Sequence, residues 1–480
     1  MNEIQFIKSP SVLSFRRRGR PGLVLVDNES REQLELDADE AKLWSEWPQC
    51  WQSHERFGRA LAQKRFAMER SHRAAPIPLM RDDTVFRLAG RYVKYLRESA
   101  DLVVIFNSAP MSQNNPLLVL GPYGSLCWNG VVAGWPVRRI QFEASRVFGT
   151  DEVVPFLARL QRLGFIAGDT LLPDAASGST IQKEFPAPDI QFQMVQSTVP
   201  WYCLWELSRV CDLRCKICYQ SDFEQRGLGR LETREVAQSL IEAGIFYVCL
   251  LGGEALLRPD LDEVVALLRA NGVFTKIITN GQRLSRDRAV SLKAAGLNLV
   301  EVSFDGLTVQ THDASRGNGA FARCLNALRN AKYAGIPRSG IVWTIHSGNL
   351  HELADLPKFL EANGVRECYL SPFKKTGLNG ATAPWDSPQP ERLNTVRAAI
   401  INWRMTHPHL NVVLLPSCSC GRTSVVIGAE GDVRLCSFTY NSVGNLRKTP
   451  LLEIWRNLES GLPESGPLGF CQTVRPCSKP

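Results

Sequence analysis

LSRVCDLRCKICYQ, residues 207–220, sets Cys211, Cys215 and Cys218 in the spacing C-x3-C-x2-C, after an apolar run that reads as a strand and directly before Tyr219. Three thiolates on one short loop can each hold one iron of a [4Fe-4S] cube, because cysteine is the ligand such clusters use. The fourth iron is then left without a protein ligand, open to bind a substrate. The competing reading is a structural zinc loop, which more often repeats a C-x2-C pair some distance away. No second pair of that form occurs in the chain.

Composition narrows the class. With 480 residues, 44% apolar and 22% charged, this is a globular chain with room for about two to four domains. No run of about 18 apolar residues is present, and MNEIQFIKSPSVLSFRRRGR lacks the apolar centre of a signal peptide. Fourteen cysteines in such a chain point to metal or redox work in a reducing compartment, so a cytoplasmic location without membrane contact is expected. The net charge of +8 is dispersed apart from Arg16-Arg17-Arg18-Gly19-Arg20, which reads as a solvated tail.

Residues 10–170 show short strands followed by amphipathic helices, a pattern that occurs twice. The runs 23–27 and 34–37, leading to a helix at 40–44 with Trp44, parallel 102–106 and 117–120, leading to 124–128 with Trp128. Helices are expected at 137–148 and 151–163, the latter capped by Asp151 and ended by Gly164. This order describes an α+β winged helix in residues 81–170, preceded by a degenerate copy in 1–80. Residues 171–200, with scattered Pro, Ala, Ser and Thr, read as a linker.

From Trp201 onward strands and helices alternate, with strands near 201–207, 246–251, 275–279, 299–304, 340–345 and 367–370. Parallel strands need crossover helices, so the expected core, residues 201–375, is an α/β partial (β/α)6 TIM barrel. Gly252-Gly253-Glu254 follows the second strand, where two glycines allow a ligand close to the backbone. Thr279-Asn280-Gly281 and Ser303-Phe304-Asp305-Gly306 put small polar side chains on the same rim, and Arg316 adds a guanidinium able to pair with a carboxylate. For Arg316 alone, a surface salt bridge is an equal alternative.

The triad, the aromatic Tyr219 and the GGE run resemble the radical S-adenosylmethionine (radical SAM) enzymes over residues 201–373. The resemblance implies that Cys211, Cys215 and Cys218 carry the catalytic [4Fe-4S] cluster. Its open iron takes the amino and carboxylate groups of SAM, whose reductive cleavage yields a 5′-deoxyadenosyl radical. It further implies that Gly252, Gly253 and Glu254 bind the SAM amino group, and that Ser303 and Arg316 meet its carboxylate and ribose region. Tyr219, Thr279, Asn280 and Asp305 join that SAM-binding set, while Thr344, Asn349 and Leu370 flank the adenosine.

Residues 376–480 return to cysteine: Cys418, Cys420, Cys436, Cys471 and Cys477, with Gly444-Asn445 and Ile454-Trp455 between. The run resembles the SPASM and shorter twitch extensions of radical SAM enzymes, which bind auxiliary [4Fe-4S] clusters. It departs from the full pattern because Leu468 stands where a cysteine belongs. Five thiols cannot ligate two cubes, so one auxiliary cluster is expected, on Cys436, Cys471, Cys477 and one of Cys418 or Cys420. A four-cysteine zinc site is the alternative. Cys203, Cys249, Cys324 and Cys368 read as small apolar core residues.

LLVLGPYGSLCW and VVPFLARLQRLGFI, with the helix pair between them, resemble the peptide-chaperone domain of pyrroloquinoline quinone biosynthesis. Such a domain takes a leader peptide as an added strand at an open sheet edge, here near 117–120, beside a helix near 153–163. The resulting expectation is a peptide maturase that modifies a ribosomally made precursor peptide, with a reductase supplying electrons. A folded protein or small metabolite is the second substrate class. An iron-sulfur DNA-binding regulator is the third reading, disfavoured because a regulator has no use for a SAM rim.

Overall fold

The structure is a computed structural model that describes residues 6–8, 12–16, 23–27, 33–36, 67–69, 87–88, 93–99, 102–107, 117–120, 122–148, 153–162, 165–168 and 199–458, the last span without 221, 408, 416–420, 422, 439 and 440. The chain divides into two compact units, residues 1–190 with 194–198 and residues 191–193 with 199–480.

In the first unit the described strands are β1 (Phe6–Lys8), β2 (Val12–Arg16), β3 (Leu23–Asp27), β4 (Gln33–Leu36), β5 (Ala67–Glu69), β6 (Arg87–Leu88), β7 (Val93–Ser99), β8 (Leu102–Asn107) and β9 (Leu117–Leu120). Helices α1 (Pro122–Val132), α2 (Val137–Phe148) and α3 (Val153–Arg162) follow, then β10 (Ile166–Ala167). Two antiparallel three-stranded meanders are present, β2-β3-β4 and β7-β8-β9. Each has one strand more than the two runs read from the sequence, while the first copy's helix at 40–44 lies outside the described residues. Pro122 opens α1, where its missing N–H costs nothing. Gly130 lets α2 close onto α1, since a Cβ there would collide with Ile140. Trp128, Val131, Ile140, Leu157 and Phe165 form the core of these helices with Ile105 of β8.

The second unit is built on ten strands in the order β17-β16-β15-β14-β13-β12-β11-β18-β19-β20. In chain order the elements are β11 (Tyr202–Glu206), α4 (Arg230–Glu242), β12 (Tyr247–Leu251), α5 (Leu261–Ala270), β13 (Phe274–Thr279), α6 (Arg286–Ala294), β14 (Leu299–Phe304), α7 (Val309–Arg316), α8 (Ala320–Tyr333), β15 (Arg338–Ile345), α9 (Leu356–Ala362), β16 (Glu367–Pro372), α10 (Pro390–Thr406), β17 (Asn411–Leu414), β18 (Ser424–Ile427), β19 (Asp432–Arg434), β20 (Ser442–Asn445) and α11 (Leu451–Arg456). β11 to β16 are parallel neighbours in chain order, as a partial TIM barrel requires. The sheet then runs on, because β17 adds parallel to β16 and β18 parallel to β11. The expected boundary at residue 375 therefore falls inside one continuous sheet.

Strand alternation divides the barrel into two environments. Trp205, Leu250, Ile277, Val302, Trp343 and Leu370 face the helices in one hydrophobic core, each fully buried aliphatic side chain there contributing roughly 1.5–3 kcal/mol. The other set faces inward. Its lower layer is polar: Lys276 Nζ lies 3.0 Å from Glu301, and Arg338 holds Glu367 through two hydrogen bonds of 2.5 and 2.7 Å. Lys276 also sits 5.0 Å from the ring of Tyr369 and 5.7 Å from that of Tyr247. Above this floor, toward the C-terminal strand ends, the inward residues Leu204, Leu251, Ile278, Val342, Thr344 and Ser371 are only partly buried. The barrel is thus floored at one end and accessible at the end where the cysteine loop lies.

Candidate radical SAM site

The cysteine loop leaves β11 and lies against the end of β12 through backbone contact. Gly253 N–H donates to the Ser208 carbonyl at 2.7 Å, and Glu254 N–H donates to that of Val210 at 2.9 Å. A Cβ on Gly252, whose φ is 140°, would strike the Ser208 carbonyl, and one on Gly253 would strike those of Arg209 and Val210. The glycine pair is therefore needed for the close approach of the cysteine loop itself. The far side of the loop is held by the segment after β16. Asn379 Nδ2 donates to the Cys215 carbonyl at 3.1 Å, Gly380 N–H to that of Cys218 at 2.9 Å, and Gly377 gives the space beside Tyr219 that a Cβ would fill.

The rim residues form two hydrogen-bonded sets, one on each side of the loop. Glu254 is buried, and its carboxylate accepts from Leu256 N–H at 3.0 Å, Thr279 Oγ1 at 2.7 Å and Asn280 N–H at 2.7 Å. Burial pushes its carboxyl up to about 7, against the downward pull of those three hydrogen bonds. Asn280 Nδ2 in turn reaches Cys211 Sγ at 3.7 Å and Asp212 at 2.8 Å, and Arg283 pairs with Asp212 at 2.9 Å. Asp212 is a rim member that the sequence reading missed, although its place between two of the cysteines was a signal.

On the opposite side Arg316 Nε lies 2.6 Å from Asp305 Oδ2, and Ser315 donates to the same carboxylate at 2.9 Å. Arg316 is not a surface ion pair, because its partner is the fully buried Asp305. Ser303 sits on the inward face beside them, paired in register with Val342, as Thr344 is with Ser371. His312 Nδ1 accepts from Asp305 N–H at 3.3 Å, and burial holds its imidazole down at about 4, followed by the influence of Arg316.

Three expected rim residues are turned elsewhere. Asn349 is fully buried and spends its amide on the carbonyls of Asp305, at 2.9 Å, and Thr344, at 2.7 Å, and on His346 N–H, at 2.8 Å. It ties β14 to β15. Leu370 belongs to the helix-side core, because one residue of strand parity decides the face; its inward neighbour is Ser371. Tyr219 is directed at Glu206, to which its hydroxyl donates at 3.3 Å, and at Phe438.

The donor set suits iron. Burial pushes the Cys211 thiol up to about 11 and that of Cys215 up to about 12, and it raises Cys218 as well. Such thiols stay protonated at neutral pH until a metal displaces the proton, and Arg316 lowers the cost for Cys215 and Cys218. Among the described residues no three His, Cys, Asp or Glu side chains converge on one ion. A cube asks for no such convergence, since each thiolate binds a different iron. Of the C-terminal cysteines, Cys436 is buried and follows β19; Cys418, Cys420, Cys471 and Cys477 lie outside the described residues. Cys203, Cys249, Cys324 and Cys368 are buried, as expected. A separate cavity of about 850 Å³ flanks the loop, bordered by Gly227, Arg230, Arg258 and Glu263, and contains none of the rim residues.

Comparison with known proteins places this geometry. Residues 205–362 match the model of the radical SAM superfamily, and residues 418–460 match that of an iron-sulfur cluster-binding domain, SPASM. The second match takes in Cys418, Cys420 and Cys436 and ends before Cys471. The chain is 30% identical over 280 residues to the mycofactocin maturase MftC of Mycobacterium ulcerans, covering 53% of this chain and 74% of that protein. It is 27% identical over 329 residues to the Fe-coproporphyrin III synthase of Methanosarcina barkeri, covering 60% and 81%. Among solved structures, Streptococcus suis SuiB bound to its precursor peptide SuiA aligns with a TM-score of 0.57 at 15% identity, over 81% of this chain and 91% of that one. That span is larger than the barrel unit, so the likeness in fold extends into the first unit.

Proposed function

The chain belongs to the radical SAM superfamily, and from that premise we propose that it is a maturase acting on a ribosomally synthesised precursor peptide. It is an enzyme that uses a [4Fe-4S] cluster and SAM, with an iron-sulfur cluster-binding domain following the barrel. When bound, these groups supply a 5′-deoxyadenosyl radical that abstracts a hydrogen atom from the substrate.

Cys211, Cys215 and Cys218 hold the cluster, and the GGE backbone fixes their loop. Glu254 and Asn280 orient the loop's edge, while the Asp305–Arg316 pair keeps positive charge beside Cys215. Ser303, Thr344 and Ser371 line the accessible half of the barrel, where SAM and the reacting segment of the peptide meet. Cys436, with Cys471, Cys477 and Cys418 or Cys420, would hold one auxiliary cluster, a group that would offer an electron acceptor beside the substrate in an oxidative outcome. A reductase supplies electrons. In the first unit, residues 81–170 act as a winged-helix peptide dock, and the leader adds as a strand to β9.

The observation that favours a peptide is β9. Among the described residues it pairs with β8 alone, leaving an edge open to augmentation. The relationship to MftC and the fold likeness to SuiB point the same way. A small-molecule substrate is the second reading, favoured by the relationship to the Fe-coproporphyrin III synthase. Hydrogen exchange of the full chain with a candidate leader peptide separates the two: protection of amides 117–120 is expected for the maturase. Catalytic turnover of a metabolite with those amides unprotected would favour the alternative.

A further inference from the structure

A set of buried and half-buried side chains used by neither the SAM rim nor the barrel floor lies between the cysteine loop and Cys436. Glu206 ends β11 and Arg434 ends β19; each is 1% exposed, and the two form an ion pair across the intervening β18. Arg434 also lies 3.0 Å from Asp432. Tyr219, next to Cys218, donates its hydroxyl to Glu206, and its ring meets Phe438 edge-on with centroids 5.6 Å apart. Phe438 N–H donates to Cys436 Sγ at 3.4 Å, and the ammonium of Lys374 lies 4.5 Å from the Phe438 ring. The residue following a triad cysteine therefore touches the residue that hydrogen-bonds the C-terminal cysteine.

Stability alone does not account for this arrangement, because a buried ion pair is often matched or bettered by apolar residues of similar volume. Its best-attested use is to fix register, and here it fixes β19, and so Cys436, against β11, from which the triad loop departs. Groups that hydrogen-bond a metal ligand orient it and tune the metal. We propose that Tyr219, Phe438, Glu206 and Arg434 are positioning residues that hold the Cys436 loop at a set separation from the triad loop, and with it the spacing between the two clusters. The inference rests on the reading of Cys436 as a ligand of the auxiliary cluster.

Low-temperature electron paramagnetic resonance of the anaerobically reconstituted, dithionite-reduced holoenzyme, run beside an iron count, tests it. Cys436→Ala supplies the reference for a triad cluster without its neighbour. Phe438→Ala is expected to leave the triad signal in place but shift its microwave power saturation toward that reference, whereas Phe438→Tyr, which keeps the edge contact, stays with the wild type. Glu206→Gln combined with Arg434→Gln, which removes both charges of the buried pair, is expected to shift in the same direction. Saturation curves for Phe438→Ala and the double variant that superimpose on the wild type, at wild-type iron content, would overturn the proposal. Wild-type iron and saturation in Cys436→Ala would show that Cys436 holds no second cluster, overturning the underlying reading as well.

Discussion

Glu254 directs its carboxylate inward, where Leu256 N–H, Asn280 N–H and the Thr279 hydroxyl all depend on it. Glu254→Ala leaves these three buried donors without their acceptor, at about 1–3 kcal/mol each. A loss of at least about 3 kcal/mol in urea unfolding is expected. His312 supplies a pH signature. Its imidazole is depressed below the ordinary 6.5 to about 4, so its contribution is fully present above pH 6.5 and is lost as pH falls toward 4. The window corresponds to about 3 kcal/mol. Stability measured anaerobically should therefore fall between pH 6.5 and 4 in the wild type, and less steeply in His312→Asn. At this scale the triad and the GGE run were legible, because spacing is a property of sequence. What the glycines make room for was not, since Ser208, Arg209 and Val210 meet them only after the loop folds back. Where the Leu370 and Asn349 side chains point was not legible either, because one residue of strand parity decides the face and a polar residue after a strand can serve the backbone as readily as a ligand.

The barrel strands were legible from their apolar runs, and six of the parallel strands stand where those runs predict them. β17 and β18 were not, because four-residue runs inside a cysteine-bearing segment carry little periodic signal, and only pairing with β16 and β11 makes them part of the barrel sheet. The polar floor was also hidden: Lys276 and Glu301 lie on different strands and meet only through register. Lys276→Met leaves Glu301 buried without its partner and is expected to cost about 3–5 kcal/mol, while Lys276→Met with Glu301→Leu recovers most of that loss in thermal unfolding. A backbone test complements it. Gly253→Ala drives a Cβ into the Arg209 and Val210 carbonyls, so the variant should keep its helical circular dichroism but bind less iron than the wild type.

At the scale of the whole molecule the chain forms two compact units, with the radical SAM match and the iron-sulfur cluster-binding match both in the second. Among the described residues no helix is long and apolar enough to cross a membrane. Among the described residues β9 pairs with β8 alone, which is the feature of the first unit that the peptide reading uses, and the radical SAM match lies in the second unit. The extension's ligand set was the least legible part, because five cysteines admit several groupings and only Cys436 lies among the described residues. The most direct measurement is 5′-deoxyadenosine formed by the anaerobically reconstituted protein with SAM and a reductant, alongside the mass of a co-expressed precursor peptide. The wild type should release 5′-deoxyadenosine and shift the peptide mass, and the Cys211→Ala/Cys215→Ala/Cys218→Ala variant should do neither. Release of 5′-deoxyadenosine that survives the triple substitution would contradict the account.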